Sequence, residues 1–161
     1  MKTKLLVIAV TFVMFILSLL SYSYASDQSV WYRVHVQKEG WQGWYSDGET
    51  AGTIGRGLRM ESIIIKLTGF PNNDGIEYST HIQSHGWLPY VKGGMESGTI
   101  GKSKRMEAIR IRLIDNHKWS IKYRVHLQDI GWTNWVSDND IAGTTGEKRR
   151  MEAIQIKVEK R

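Results

Sequence analysis

One pattern of 36 residues occurs three times in this chain without an insertion or a deletion, and that regularity limits the fold more than any composition figure. Residues 32–67 read YRVHVQKEGWQGWYSDGETAGTIGRGLRMESIIIKL, residues 78–113 read YSTHIQSHGWLPYVKGGMESGTIGKSKRMEAIRIRL, and residues 123–158 read YRVHLQDIGWTNWVSDNDIAGTTGEKRRMEAIQIKV. The spacers, Thr68–Glu77 and Ile114–Lys122, are 10 and 9 residues long. A unit this short is below the ~40 residues at which a domain needs outside help to fold. The copies are therefore expected to share one core, as repeats that cannot bury an apolar face alone must.

Periodicity predicts the strands. Val30, Tyr32, Val34 and Val36 alternate with Trp31, Arg33, His35 and Gln37, and the same alternation returns at Ile76–Ile82 and Ile121–Leu127. Period two marks a half-buried strand, with the apolar set inside. A second strand is expected over Trp41–Ser46, closed by the turn signal Ser46-Asp47-Gly48-Glu49. The third is RMESIIIKL, with Ile63, Ile65 and Leu67 inward and Ile64 and Lys66 outward. The glycines Gly52, Gly55, Gly98, Gly101, Gly143 and Gly146 precede strands rather than helices, which argues for turn geometry and against a phosphate cradle. The expected fold is all-β, one pseudo-threefold domain of three repeats. A β-prism is preferred, with a β-trefoil as the alternative that the pattern leaves open.

Strand parity sorts the aromatic residues. Trp41, Trp87 and Trp132 share parity with Tyr45, Val91 and Val136, and are expected in the core. Trp44, Tyr90 and Trp135 have the other parity and are expected on a wet face. His35, His81 and His126, with Gln37, Gln83 and Gln128, also fall on a wet face and yet recur unchanged. A ring surface beside groups that both donate and accept hydrogen bonds suits a sugar. These nine residues are the candidate ligand-binding set. No catalytic arrangement recurs in the copies, so no enzyme is expected, and no cofactor. A three-histidine metal site would need side chains aimed at the axis, whereas these point to the wet side, so no metal is expected either. Glu61, Glu107 and Glu152 fall by strict alternation on the inner side, where each needs a partner: Arg59, Arg105 and Arg150, or a backbone amide.

Lys2 and Lys4 precede an apolar run from Leu5 to Leu20, and Ser23-Tyr24-Ala25 follows with small residues where a signal peptidase reads. Residues 1–25 are thus expected to be a signal peptide. One all-β domain then covers 26–161, with repeats at about 30–67, 76–113 and 121–158. The run of 16 residues is shorter than the ~20 of a spanning helix, so no membrane span is expected after cleavage. There is no cysteine, which removes thiol chemistry. The formal charge of +6 becomes +4 once Lys2 and Lys4 are subtracted. That modest field favours encounter with anionic polymers and is too dispersed for nucleic acid.

The pattern H-[VIL]-Q-x-x-G-W-x-x-[WY], followed by G-T-[IT]-G and R-M-E-[SA]-I, resembles the ChW repeat, the clostridial hydrophobic repeat with a conserved tryptophan. The resemblance covers all three units, and its tryptophan corresponds to Trp41, Trp87 and Trp132. It implies a secreted or cell-surface protein of a Gram-positive bacterium with a noncatalytic binding role. The expected partner is a polysaccharide or surface glycan, anionic in one version. A surface protein, bound in an adhesion or interaction role, is the alternative. Copy two departs from the others with Tyr90, Pro89 and Gly93, and its site is expected to be the weakest.

Overall fold

The computed structural model describes residues 28–70, 75–115 and 117–161. The expected signal peptide lies outside these residues. The first repeat contributes β1 (Ser29–Val36), β2 (Gly40–Trp41), β3 (Tyr45–Ser46), β4 (Ala51–Gly52) and β5 (Met60–Thr68). The second gives β6 (Ile76–Ile82), β7 (Gly86–Trp87), β8 (Val91–Lys92), β9 (Glu96–Gly98) and β10 (Met106–Leu113). The third gives β11 (Trp119–Leu127), β12 (Gly131–Trp132), β13 (Val136–Ser137), β14 (Ala142–Gly143) and β15 (Met151–Lys160). Among the described residues there is no helix, hence none long and apolar enough to cross a membrane.

These strands form three antiparallel sheets, one built on each repeat. In the first, β1 pairs with β5 along its length, and β2 and β3 pair with opposite ends of β1. The last strand of each sheet comes from a different repeat. β9 joins β5, β14 joins β10, and β4 of the first repeat joins β15 of the third. The exchange runs in a circle, so every repeat completes a neighbour's sheet and the pseudo-threefold body closes on itself. Three separate sheets about an axis are the β-prism arrangement rather than the trefoil.

The alternation read from the sequence holds in the long strands. Val30, Tyr32, Val34 and Val36 are fully buried, as are Ile63 and Ile65, and one cluster gathers the inner residues of all three sheets. Its centre contains a polar device. Tyr32 accepts a hydrogen bond from the Ile156 backbone N–H and donates to the Glu49 carbonyl. Tyr78 does the same with Ile65 and Met95, and Tyr123 with Ile111 and Asp140. Each phenol thereby ties its own repeat to the adjoining sheet and satisfies backbone groups that the ladders leave unpaired.

Burial disfavours the phenolate, and the hydrogen bond from the Ile65 N–H offsets this only in part, so the Tyr78 hydroxyl is pushed up to about 12. Tyr32 and Tyr123 are raised in the same direction for the same reason. An unfolded chain releases these protons near pH 10, before the folded one does. Stability is therefore complete below about pH 10 and falls as pH rises toward 12. Tyr78 alone contributes roughly 3 kcal/mol to that loss. Urea midpoints at pH 8, 10 and 11.5 should show the drop, and a Tyr78→Phe variant should show a shallower one from a lower starting value.

Candidate functional site

The outer face of each sheet carries one repeated assembly. Its base is a β-bulge. Val36 lies opposite Met60 and His35 opposite Ser62, which leaves Glu61 as the extra residue. The same slip leaves Glu107 and Glu152 as the extra residues in the other two copies. A bulge re-aims a side chain that strict alternation would send elsewhere. The expectation of inward glutamates is thus corrected. Met60 and Ile63 both point to the core, and Glu61 sits between them beneath the outer layer, 5 % exposed. The arginine partners are as read from the sequence: Arg59, Arg105 and Arg150 reach the carboxylates at 2.7, 2.7 and 2.8 Å. The other carboxylate oxygen lies 3.2 Å from His35 Nδ1, with 3.1 Å in each of the other copies. Those nitrogens are off the line of a good hydrogen bond, so the contact is a close polar pair.

The tryptophans expected in the core are not there. Trp41 pairs across the sheet with His35, and cross-strand partners share a face. Its ring meets the imidazole edge-on at 5.6 Å, and Trp87 and Trp132 repeat the contact at 5.4 and 5.6 Å. The parity count failed because Trp41–Ser46 is not one strand. The chain leaves the ladder after Trp41 and rejoins at Tyr45, and Gln42 meanwhile brackets Gly52, accepting from its N–H at 2.7 Å. Two residues on each side of a break carry no common alternation.

A guanidinium is shared between the two rings of each face. Arg33 stands 4.8 Å from the Trp41 centroid and 5.0 Å from that of Trp44. In the third repeat Arg124 lies 4.9 Å from Trp132 and 4.8 Å from Trp135. The second repeat has Ser79 in the corresponding place on its first strand. There Arg110, delivered by the facing strand, takes the position at 4.5 Å from Trp87 and 4.6 Å from Tyr90. Arg110 pairs directly with Ser79, as Arg33 does with Ile64 and Arg124 with Gln155. The arginine has changed strands and kept its site. A second cation covers the outer ring: Lys66 at 4.2 Å from Trp44, Arg112 at 4.3 Å from Tyr90, and Lys157 at 4.7 Å from Trp135. Each such contact contributes ~0.5–1 kcal/mol at an exposed position.

The nine candidate residues are therefore only partly brought together. Trp44 is 37 % exposed, and Tyr90 and Trp135 are half-buried at the same station. The imidazoles support the inner tryptophans from below, their side chains about 15 % exposed. Gln37, Gln83 and Gln128 stand past the bulge, where their backbone N–H groups donate to the Arg59, Arg105 and Arg150 carbonyls, at one end of the stack. The sequence reading missed the arginines and outer cations. The signal was present as a reciprocal exchange between copies: Arg with Ile, Ser with Arg, Arg with Gln at the two facing positions.

Fold and faces together define a closed three-repeat β-protein with one cation–aromatic stack per sheet. The profile of the Clostridial hydrophobic W family, ChW, matches residues 35–69, 81–115 and 126–160. The chain belongs to that family, as three tandem repeats. No curated protein and no solved structure matches the chain significantly.

Proposed function

We propose that this protein is a secreted, noncatalytic binding module whose outer faces take carbohydrate, a cell-wall polysaccharide in particular, through up to three equivalent weak sites. The observation that carries this reading is the station of Trp44, Tyr90 and Trp135. They are large rings on solvent-facing sheet surfaces, ringed by hydrogen-bond donors, while the core is complete without them. The part of each ring that its cations leave exposed offers an apolar surface to the C–H face of a pyranose, and the guanidinium and ammonium groups meet its hydroxyls. Three weak contacts on one rigid body gain ~10²–10⁴ in avidity when a polymer engages several at once. The histidines serve this reading by fixing the inner tryptophans, and Gln37, Gln83 and Gln128 by supplying side-chain carboxamides at the end of each face.

Titration of residues 26–161 with purified wall polysaccharides, followed by tryptophan fluorescence, tests the proposal. The combined Trp44→Ala, Tyr90→Ala and Trp135→Ala variant should lose at least about tenfold in affinity, as aromatic anchors do. Unchanged binding by a folded variant removes the site assignment. A second reading, contact with a surface protein in adhesion, would use the same outer rings as its contact anchors. Co-purification of a protein with no glycan would select it.

A further inference from the structure

We propose, resting on the glycan reading above, that the polymer is acidic. Its carboxylate or phosphodiester groups pair with the cations held over the outer rings, while its sugars lie along those rings. The carrying observation is the arginine that changes strands. Ser79 is a buried residue whose hydroxyl is used on the Leu88 carbonyl, so the second face has no arginine from its first strand. The facing strand nevertheless places Arg110 over the same two rings. A positive charge is kept at one point in space by two different routes, and the outer cation is kept as Lys66, Arg112 or Lys157.

Local carboxylates pair with two of the outer cations, Arg112 and Lys157, and still leave an excess of positive charge on each face. On the first face Glu96 lies at the sheet edge, where it accepts from Ser62 Oγ at 2.9 Å. On the second, Glu77 pairs with Arg112 at 2.7 Å, which leaves Arg110 without a carboxylate among the described residues. On the third, Glu159 is shared by Lys157 and Lys122 at 2.6 and 2.9 Å. Cations outnumber carboxylates on every face. A guanidinium against aromatic rings is weakly hydrated and presents a planar fork that fits a carboxylate or a phosphate.

The test uses polygalacturonate, poly(glycerol phosphate) and neutral dextran against residues 26–161. At low salt one or both acidic polymers should bind at least about tenfold more tightly than dextran, and which of them does so identifies the acid. The advantage should shrink at roughly 0.5 M salt, where screening acts within about 4 Å. Replacing Lys66, Arg112 and Lys157 together by Gln should cost at least about tenfold more for acidic polymers than for dextran, in a variant whose cooperative thermal unfolding shows that it is folded. Replacing Glu77, Glu96 and Glu159 together by Gln should tighten acidic binding, a gain that no folding defect can imitate. Dextran binding as tightly as the acidic polymers, with both triple variants unaltered, overturns the acidic preference and leaves the glycan reading in place. Absence of binding to all three polymers and to wall polysaccharide sinks both. An oligonucleotide bound as tightly as the acidic glycans also overturns it, because charge alone would then suffice.

Discussion

Gly52→Ala should remove about 2–5 kcal/mol of folding stability, while Gly55→Ala, three residues on, should remove about 1–2. Both glycines have positive φ, at 106° and 72°. The left-handed backbone costs a residue with a Cβ ~1–2 kcal/mol, and that part is common to the two sites. The difference is what the new carbon meets. At Gly55 nothing lies within 4 Å, whereas at Gly52 it would stand 2.7 Å from Ala153 Cα and closer still to the Glu152 carbonyl oxygen. Both of those are backbone atoms, so no side chain can swing aside, and the collision adds the 1–3 kcal/mol of overpacking. Gly52 is also where the circle closes: its strand is the edge that the first repeat lends to the third, with Thr53 N–H donating to the Glu152 carbonyl at 2.8 Å. A domain of this kind has roughly 5–15 kcal/mol in total, so the substitution takes a large share of it. Urea unfolding of both variants measures the contrast. Equal losses would mean that the lent strand is not held by close backbone approach. Gly98 and Gly143 occupy the equivalent crossings, against Ser62 and Ala108, and the same contrast with Gly101 and Gly146 should hold there.

That closure was outside the reach of periodicity. Alternation in SVWYRVHV says which side of β1 is inner, and burial of Val30 through Val36 follows because an eight-residue strand averages over local irregularity. It cannot say that Gly52 touches Ala153, about a hundred residues away. The tryptophans failed for a related reason. A two-residue ladder at Gly40–Trp41 has no period to read, and Gly43, Pro89 and Asn134 stand in the break before all three copies rejoin the sheet at the same station. Glu61 was a visible conflict: an acid on an apolar parity, next to Arg59 and Met60. The conflict was real and its resolution, a bulge, is a backbone event that side-chain pattern signals only as a mismatch. The arginine pairing was legible because charge complementarity leaves few partners within two residues. The wet-face assignment of Trp44 held, since its station is fixed by the cations of two long strands. The exchange of Arg33 for Arg110 was readable only once those strands were known to face each other.

Glu61→Ala should cost about 3 kcal/mol and loosen the binding face at the same time. The carboxylate is 5 % exposed and engages Arg59 at 2.7 Å and His35 at 3.2 Å. Removing the acid from a buried pair leaves the cation desolvated without compensation, a loss of ~3–5 kcal/mol when burial is complete. Here the Arg59 and His35 side chains keep 18 % and 15 % exposure, so water recovers part of it and the lower end applies. The pairwise share is separable. Arg59→Ala combined with Glu61→Ala should destabilise by at least about 1 kcal/mol less than the two single losses summed, because the second substitution removes a group already left alone. The effect on the face follows through contact. Without Glu61 the imidazole loses its polar partner, the edge-on packing on Trp41 at 5.6 Å relaxes, and with it the ring against which Arg33 rests at 4.8 Å. Tryptophan emission should shift in the folded variant before any unfolding, and Glu61→Gln, which keeps shape without charge, should fall between wild type and alanine in both readouts. A loss under about 1 kcal/mol with unshifted emission would show that the bulge carboxylate neither anchors the arginine nor supports the stack, and the chain of contacts from Glu61 to Lys66 would have to be cut at its first link.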